Sequence, residues 1–478
     1  MTSNVNYFET ARSLAKAIRQ REVSALEVMQ AHLEQIKKIN QDVNAIVSLD
    51  EQHALKEAKK ADELLSQGTG VGPFHGLPIA IKDTHNANGF PMTSGSLALL
   101  ENISREDDLH VQRIKQAGAI IIGKTNVPEF GAGAHTFNKV FGATKNPFTL
   151  RHTAGGSSGG AAAAVATGML PFADGSDMGG SCRFPAAFNN VVGLRPSPGR
   201  VPTYPKPALY STLLTQGPIT RDTEDAAFML SVMSGPDDRS PISINQPSDY
   251  FLQPLDDDIR GLRVAWSADF DGTLPVDSNV RENIEQQINV FKDLGCHVKE
   301  ACPDFTEADE VFHILRAWEI EMSNRELVER YQRVIKPSFI WNFNKGQELK
   351  GIEIGTAERL RNELYHRMRV FFQDFDVLLL PVSQVPPFDV ELEYPTEIDG
   401  VKMENYIDWM RSCYYISALG NPALSVPSGF TSKGLPLGLQ IVGPHRADYE
   451  VLRIGHAFEQ ATNYAKRRPY SGSVKTKF

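Results

Sequence analysis

The segment Gly175–Val201 reads GSDMGGSCRFPAAFNNVVGLRPSPGRV and follows a second glycine- and serine-rich segment, AGGSSGG, at Ala154–Gly160. Glycines let a backbone come close to a bound molecule and adopt conformations that other residues avoid. In DMGGS, the consecutive N–H groups from Met178 to Ser181 could converge on one oxygen atom, as an oxyanion hole requires. The pattern favours a catalytic turn that presents a nucleophilic serine.

Two other interpretations of AGGSSGG stay open at this point. A flexible linker has a similar composition, but this segment runs into AAAAVATGML, an apolar helix-forming stretch that a solvated linker would not need. A phosphate-binding loop also places glycines at a helix N-terminus, yet neither G-x-x-x-x-G-K-[ST] nor G-x-G-x-x-G occurs here.

Helical and strand patterns alternate along much of the chain. A helical pattern over Asp107–Ala117 ends at Gly118, and the apolar run Ala119–Ile122 that follows is typical of a buried strand. The same succession of a helix, a glycine and a strand occurs where Gly295 follows the helical pattern of Ser278–Leu294. Further strand candidates are Gly261–Ala265, Cys296–Val298 and Asp376–Leu380. This alternation predicts an α/β fold around a mostly buried sheet.

Two other regions are predicted to be helical. The N-terminal region, about 5–65, shows a capping box at Ser24 and Glu27. Its first apolar face consists of Ala11, Leu14, Ala15 and Ile18. The region of about 306–375 carries aromatic residues among many charges, which predicts either a substrate-covering cap or helices packed on the sheet with the aromatics as core.

Composition excludes some functional classes. The formal net charge of −9 gives no support for a protein that neutralises phosphates, so we predict no nucleic-acid partner. The cysteines show no C-x-x-C spacing, which argues against a disulfide framework and a zinc site. The N-terminus lacks the pattern of a signal peptide, and no run of about twenty apolar residues occurs. We therefore expect a cytoplasmic protein without a membrane span.

Five motifs in register resemble the amidase signature family. They are GLPIAIKD at Gly76–Asp83, GKTNVPEF at Gly123–Phe130, FGATKNP at Phe141–Pro147, GGSSGG, and the segment Gly175–Val201. The resemblance covers nearly the whole chain. It implies one large α/β/α domain over 1–478, with a signature core at about 72–200 and a mixed, mostly buried, twisted sheet flanked by helices.

The resemblance also implies roles for individual residues. Ser181 is similar to the acylated nucleophile, Ser157 to a bridging serine that follows a cis peptide bond, and Lys82 to the final base. Ser157 lies 24 residues before Ser181, and Lys82 lies 75 before Ser157. The expected oxyanion and substrate-binding residues are Met178, Gly179, Gly180, Gly131, Ala132 and Gly133. The expected structural supports are Asp177, Arg183 and Ser158. No metal and no cofactor are implied.

The chemistry sets its own conditions on these residues. A lysine acts as a base only when neutral, so the site must be buried enough to lower its pKa. The simpler alternative is that Lys82 ends a strand and pairs with Asp83. An arginine does not deprotonate in proteins, so Arg183 is expected to brace the loop through Asp177. The motifs are flanked by His75, His85, His135 and His152, and none is assigned a catalytic role.

Departures from the usual family pattern concern specificity. Met178 stands where threonine or isoleucine is common, and Cys182 where isoleucine is common, so both could alter the acyl pocket. For Cys182, the alternative is a small buried hydrophobic residue. Small residues from Gly131 to Gly133 suggest space for a bulky or aromatic acyl group.

Three functions remain from the sequence. The first is a stand-alone amidase that cleaves a small carboxamide or an N-acyl amine. The second is the glutaminase (A) subunit of a tRNA-dependent amidotransferase, although PTYPKPALYSTLLTQGP after Val201 differs from the serine-rich run usual there. The third is a non-catalytic binding protein, against which the retention of Lys82, Ser157 and Ser181 argues. A homodimer is the general prior for a soluble protein.

Overall fold

Helices and strands alternate along the chain in the computed structural model, which describes residues 5–68 and 70–469. Helices α1 to α13 span Ala11–Arg19, Ala25–Val43, Glu51–Ser66, Leu109–Gln116, Gly159–Ala166, Arg183–Asn189, Thr223–Met233, Ser278–Asp293, Ala308–Tyr331, Pro337–Glu348, Gly351–Asp374, Arg411–Leu419 and Asp448–Thr462. Strands β1 to β15 span Ile46–Leu49, Pro78–Lys82, Ile120–Thr125, Lys145–Asn146, Thr149–Thr153, Phe172–Asp177, Val192–Arg195, Thr215–Thr220, Arg263–Trp266, His297–Glu300, Val377–Pro381, Glu397–Ile398, Val401–Lys402, Ala423–Phe430 and Pro436–Val442.

The largest sheet has eight strands in the order β10-β9-β11-β15-β14-β7-β8-β6. Strand β9 pairs parallel with β10 and β11, and the other neighbours pair antiparallel. A smaller sheet has the order β1-β3-β2, and two ribbons consist of β4-β5 and β12-β13. The large sheet is therefore mixed, as the family resemblance implied.

Helices cover both faces of the large sheet, and β11 shows why. Its side chains alternate between two hydrophobic cores because successive residues of a strand point to opposite faces. Val377 and Leu379 belong to the core that includes residues of α8 and α13. Leu378 and Leu380 belong to the core that includes residues of α9, α11 and α12. A strand that is buried on both faces reads as a continuous apolar run, which is the signal that predicted β11.

The local predictions for the N-terminal helices are confirmed. Helix α1 buries the predicted face of Ala11, Leu14, Ala15 and Ile18. Helix α2 begins at the predicted capping box, in which the Ser24 side chain accepts from the Glu27 N–H and the Glu27 carboxylate accepts from the Ser24 N–H. The predicted helices over 107–117 and 278–294 are α4 and α8, each slightly shorter than the pattern.

The two main sheets meet at one edge each, and this junction positions the site. Strand β2 of the small sheet lies beside β6 of the large sheet, where the backbone N–H of Lys82 donates to Asp174 Oδ1 over 2.9 Å. Lys82 is the last residue of β2, and Asp177 is the last residue of β6. The carboxyl ends of both strands thus reach the same place.

The helix-rich region predicted at about 306–375 consists of α9, α10 and α11. Helix α9 turns one face toward the junction of the two sheets and forms a wall there, as described below. Among residues 5–68 and 70–469, no helix has the length and apolar character that crossing a bilayer requires.

Candidate active site

Lys82 is buried among serine hydroxyl groups. Its Nζ atom lies 2.8 Å from Oγ of Ser157, 2.8 Å from Oγ of Ser158 and 2.9 Å from Oγ of Ser176. The side chain has no exposed surface, and burial lowers the pKa of Lys82 to about 8 although the carboxylates of Asp174 and Asp177 act in the opposite direction. The environment therefore favours the neutral amine far more than water does.

The alternative ion pair between Lys82 and Asp83 is absent from the part of the chain that the structure describes. The Asp83 carboxylate instead accepts hydrogen bonds from the Thr93 hydroxyl and from the backbone N–H groups of Thr93 and Gly95. Successive residues at a strand end point in opposite directions, so the two side chains diverge.

The two glycine- and serine-rich segments lie against each other. The Ser158 N–H donates to the carbonyl oxygen of Ser181 over 3.2 Å. The peptide bond between Gly156 and Ser157 is cis, as the family resemblance implied. The alanine-rich stretch after this turn is helix α5, and every residue of it is buried. This burial contradicts the interpretation of AGGSSGG as part of a flexible linker.

The backbone N–H groups before Ser181 differ in whether they already have a hydrogen-bond partner. The Gly180 N–H donates to Asp177 Oδ1 over 2.8 Å, because the buried Asp177 side chain is directed toward the loop that follows it. The Gly180 N–H, one of the predicted oxyanion donors, therefore already has an acceptor in this structure. In the described part of the chain, the N–H groups of Gly179 and Ser181 have no hydrogen-bond partner, and both residues line the active-site cavity.

Asp177 and Arg183 brace this loop from behind. Arg183 donates from Nε and Nη2 to the two carboxylate oxygens of Asp177, over 2.9 and 2.8 Å. The Cys182 N–H donates to the same carboxylate over 3.2 Å. Burial raises the pKa of Asp177, but the Arg183 charge and hydrogen bonds outweigh it and hold the pKa well below its usual range. The pair therefore stays ionised and fixes the backbone on both sides of Ser181.

A buried cluster behind Lys82 escaped the sequence analysis. Asp174 accepts the Lys82 N–H at Oδ1, while its Oδ2 accepts hydrogen bonds from His85 Nδ1 and from His110 Nε2. Each of these three residues offers one possible metal-ligand atom, and the three atoms lie within 4.8 Å of one another, so the cluster has a composition that could hold a metal ion. Its hydrogen bonds already pair both imidazole rings with the carboxylate, and its direct connection is to the backbone of the lysine.

Ser176 is the other site residue that the sequence analysis missed. Its hydroxyl contacts the Lys82 amine, and it lines the cavity together with Ser157. A signal was present: Asp174 and Ser176 are two residues apart on strand β6, so they share one face, and that face meets Lys82.

A cavity of about 430 Å³ opens in front of the serines. The expected residues that line it are Ser157, Ser181, Met178, Gly179, Gly131, Ala132 and Gly133. Aromatic walls come from Phe130, Phe312 and Phe339, of which the last two lie on α9 and α10. The helix-rich region therefore forms a wall of the cavity. The volume is typical of a site for a small organic molecule.

The other flanking histidines have structural partners. His75 Nε2 bonds to the carbonyl of Ala61, and His135 bonds to the Thr153 hydroxyl and to the carbonyl of Val390. His152 bonds to the Thr149 hydroxyl. Cys182, next to Ser181, is fully buried, and burial raises its thiol pKa above the usual range. Its surroundings match a small hydrophobic residue better than a reactive thiol.

Comparison with known proteins finds relatives that match nearly the whole chain. An acylamidase from Rhodococcus erythropolis is 34% identical over 99% of this chain and 100% of that protein. A glutamyl-tRNA(Gln) amidotransferase subunit from Geobacillus thermodenitrificans (strain NG80-2) is 33% identical over 96% of this chain and 98% of that protein. The crystal structure of a bacterial aryl acylamidase of the amidase signature enzymes superposes with a TM-score of 0.90 at 29% identity, covering 96% of this chain and 98% of that one.

The sequence profile of the amidase family extends this likeness from before the lysine motif to the last helix. It matches residues 27–452, which include Lys82, Ser157 and Ser181. The match spans the small sheet, the large sheet and the helices of the cavity wall. The chain therefore belongs to the amidase signature family.

Proposed function

We propose that this protein hydrolyses the C–N bond of a carboxamide or an N-acyl amine through an acyl-enzyme on Ser181, with Ser157 and Lys82 relaying the proton. The protein is an amide hydrolase of the amidase signature family, and the proposal adds the nucleophile and the base. The observation that supports it most is the distance of 2.8 Å between the buried Lys82 Nζ and Ser157 Oγ, in the wall of the cavity that Ser181 also lines.

Acylation begins with a neutral lysine. A neutral amine has one lone pair and two N–H groups, so it can accept from one neighbouring hydroxyl and donate to two others. The three serine hydroxyls around Nζ match this requirement. As Ser181 Oγ attacks the carbonyl carbon, its proton passes to Ser157 Oγ, and the Ser157 proton passes to Lys82 Nζ.

The first of these transfers needs a movement of Ser181. In the described part of the chain, no hydrogen bond joins its hydroxyl to that of Ser157. The hydrogen bond from the Ser158 N–H to the Ser181 carbonyl already keeps the two backbones adjacent. A change between staggered rotamers moves Oγ without moving the backbone, and catalytic hydrogen bonds often tighten only when substrate binds.

The remaining steps use the same groups. The oxyanion of the tetrahedral intermediate would accept hydrogen bonds from the free N–H groups of Gly179 and Ser181. When the C–N bond breaks, the Lys82 ammonium returns a proton through Ser157 to the departing amine. Water then attacks the Ser181 ester with the same relay as base, which releases the carboxylic acid and restores the free enzyme.

The cavity supports a substrate with an aromatic or bulky group. Phe130, Phe312 and Phe339 supply flat apolar surfaces, and the absence of side chains at Gly131 and Gly133 leaves room beside them. Two of the compared proteins carry the names acylamidase and aryl acylamidase. We therefore propose N-acyl arylamines and small primary amides as the first substrates to assay.

A serine-directed fluorophosphonate tests the nucleophile. We expect wild-type protein, without any partner protein, to be labelled at Ser181, and S181A to remain unlabelled. S323A removes another serine of the same cavity wall and should keep the label. Purified wild-type protein that takes up no label, or an S181A variant that is labelled as well as wild type, would contradict the proposal.

A glutaminase subunit is the second candidate, because the amidotransferase subunit from Geobacillus thermodenitrificans matches over 96% of this chain. The two functions differ in what they require. A stand-alone amidase releases ammonia from simple primary amides as a purified chain. Strict dependence on glutamine and on added partner subunits would instead assign the glutaminase role.

We also propose that the protein forms a homodimer, the commonest assembly of soluble oligomers. Light scattering on the purified protein decides it. We expect a mass of twice the chain, and a mass equal to one chain would show a monomer. The relay residues all come from one chain, so the proposed chemistry does not depend on this result.

A further inference from the structure

Arg316 is a buried cation in the wall of the active-site cavity. It lies on α9, and only 6% of the residue is exposed. Its Nη2 donates to the Tyr406 hydroxyl over 2.8 Å, and its Nη1 lies 3.4 Å from Met178 Sδ. Its Nε has no hydrogen-bond partner. Within residues 5–68 and 70–469, no carboxylate oxygen lies within 4.0 Å of this guanidinium.

Other buried arginines of the protein have strong acceptors. Arg183 pairs with Asp177, and Arg200 pairs with Asp448. Arg221 donates to backbone carbonyl oxygens, including that of Leu170. A buried charge is costly unless it is paired and hydrogen-bonded. Arg316 has one hydroxyl and one weakly accepting sulfur, so the protein leaves most of its five N–H groups without an acceptor.

The nearest acidic residue of the cavity wall is engaged elsewhere. Glu319, one turn further along α9, accepts a hydrogen bond from the Ser211 hydroxyl. Lys206 lines the cavity near this carboxylate, and its charge acts on Glu319. Arg316 Cζ and Lys336 Nζ each lie 5.8 Å from the centre of the Tyr406 ring, and Lys336 Nζ donates to the carbonyl oxygen of Ala132. Arg316 also acts on Glu319 from a distance, but among the described residues no carboxylate pairs with the guanidinium, so the cavity is where a further acceptor can bind.

We propose that Arg316 binds a carboxylate of the substrate, so that the preferred substrate is an amide that also carries a carboxylate group. The inference rests on the proposed amidase function of Ser181 and adds the class of its substrate. Arginine binds carboxylates through two parallel N–H groups, which gives both strength and orientation. The Tyr406 hydroxyl holds the guanidinium in place at Nη2, and within the described part of the chain the only contact of Nη1 is the weak acceptor Met178 Sδ, which a carboxylate would replace.

The position of Arg316 connects this carboxylate to the reaction. Its Nη1 contacts Met178, three residues before Ser181. A guanidinium there could also stabilise the oxyanion directly. The two roles differ in a measurable way: an oxyanion contact accelerates the chemical step for every substrate, whereas a carboxylate site acts only on substrates that carry the charge.

Two matched pairs of anilides serve as probes. Succinanilic acid and butyranilide differ by a carboxylate on the acyl side. 4-Acetamidobenzoate and 4-methylacetanilide differ by a carboxylate on the amine side. We expect wild-type enzyme to prefer the charged member of at least one pair by about 10- to 100-fold in kcat/KM, mostly through KM, which is the effect of a charged hydrogen bond.

Variants of Arg316 then locate the preference. R316M should remove the preference for the charged member, and R316K should restore part of it because lysine keeps the charge but not the two parallel N–H groups. R325M is the control: Arg325 lies on the same helix, and its exposed side chain pairs with Glu321. We expect R325M to keep the preference of the wild type.

Several results would overturn the proposal. One is a wild-type enzyme that prefers the neutral member of both pairs. Another is an R316M enzyme whose kcat falls equally for both members of a pair, which would assign Arg316 to the oxyanion. Fluorophosphonate labelling of R316M at Ser181 shows that the variant is folded and reactive. Loss of labelling in the wild type would contradict the Ser181 mechanism instead, so the two failures are distinguishable.

Discussion

Lys82 Nζ lies 2.8 Å from Ser157 Oγ, yet of these two residues Ser157 lines the active-site cavity and Lys82 does not. The lysine is enclosed by protein, so a proton from the cavity reaches it through a hydroxyl group. Ser157 offers one such path. Ser176 offers a second, because its Oγ lies 2.9 Å from Lys82 Nζ and it also lines the cavity. The choice between these two serines is therefore the sharpest test of the relay.

We expect S157A and K82A each to slow acylation by about 100- to 10,000-fold, the usual contribution of positioned acid–base groups. The double variant should be little worse than either single variant, because both residues act as one unit. Single-turnover measurement of acyl-enzyme formation on a primary amide gives these rates directly.

S176A is the matched control for this experiment. It removes a hydroxyl group at nearly the same distance from the lysine. We expect the acylation rate to fall by less than about tenfold, because the variant only leaves one N–H group of the neutral lysine amine without an acceptor. A large loss in S176A together with a small loss in S157A would move the relay to Ser176. A K82A enzyme with near-normal turnover would remove the lysine from the mechanism altogether.

The pH dependence of acylation should report the ionisation of Lys82. Burial lowers the pKa of Lys82 to about 8. The neutral form is the base, so the rate should rise as pH increases toward 8 and level off above it. Stopped-flow measurement of acylation between pH 6 and 10 gives the profile. Burial lowers the pKa of His85 below its ordinary value. An acylation rate that rises and levels off below a pH of about 6.5 would therefore indicate a histidine base instead.

Much of the fold could be predicted from the sequence because its signals are local. The capping box of Ser24 and Glu27 lies within one helical turn, and the apolar run that became β11 identifies itself by composition. The order of the strands in the large sheet is different. It depends on pairings between distant segments, such as β6 with β8 and β11 with β15. Periodicity carries no information on these pairings, so only the family resemblance implied a mixed sheet.

The residues of the site likewise fall into those that lie in recognisable motifs and those that only the fold brings together. Lys82, Ser157 and Ser181 were predicted as site residues because they lie in motifs of characteristic order. The Asp174 cluster was missed because His85 and His110 are 89 and 64 residues away from it and carry no shared motif. The donor role of Gly180 was predicted from its lack of a side chain, but the direction of its N–H depends on Asp177, whose position the sequence does not show.

Two glycines of the site should respond differently to alanine. A Cβ atom at Gly180 would lie 2.5 Å from the Phe184 ring and 2.6 Å from Cys413 Cβ, and φ there is +114°. We expect G180A to lose roughly 2 to 5 kcal/mol of unfolding free energy from overpacking and backbone strain.

G131A is the matched comparison. Gly131 has φ of +66°, and a Cβ atom there would lie 3.5 Å from Ser157 Oγ, which is ordinary contact. Its stability should fall by only about 1 to 2 kcal/mol, the cost of the left-handed conformation, while turnover of anilides falls because the methyl group enters the cavity. Urea denaturation and steady-state kinetics measure both effects. Equal stability losses in the two variants would contradict the steric argument at Gly180.

The last prediction concerns the charge behind the lysine. Burial raises the pKa of Asp174, but hydrogen bonds from His110 and His85 outweigh it, so its pKa lies well below the usual range and the group is ionised at neutral pH. This negative charge raises the pKa of Lys82 against the effect of burial. D174N keeps the size and removes the charge. The pKa of Lys82 should therefore fall further, and the rising limb of the acylation profile should move to lower pH by about 1 unit.

D108N is the control for that shift. Asp108 lines the same cavity and its carboxylate accepts a hydrogen bond from Asn86, but it is not among the charges that act on Lys82. We expect its profile to match the wild type, and we expect D174N to lose about 1 to 3 kcal/mol of stability from its altered hydrogen bonds. Acylation profiles measured on variants shown by urea denaturation to be folded separate the two effects. A limb that moves to higher pH in D174N, or moves equally in D108N, would show that Asp174 does not control the ionisation of the base.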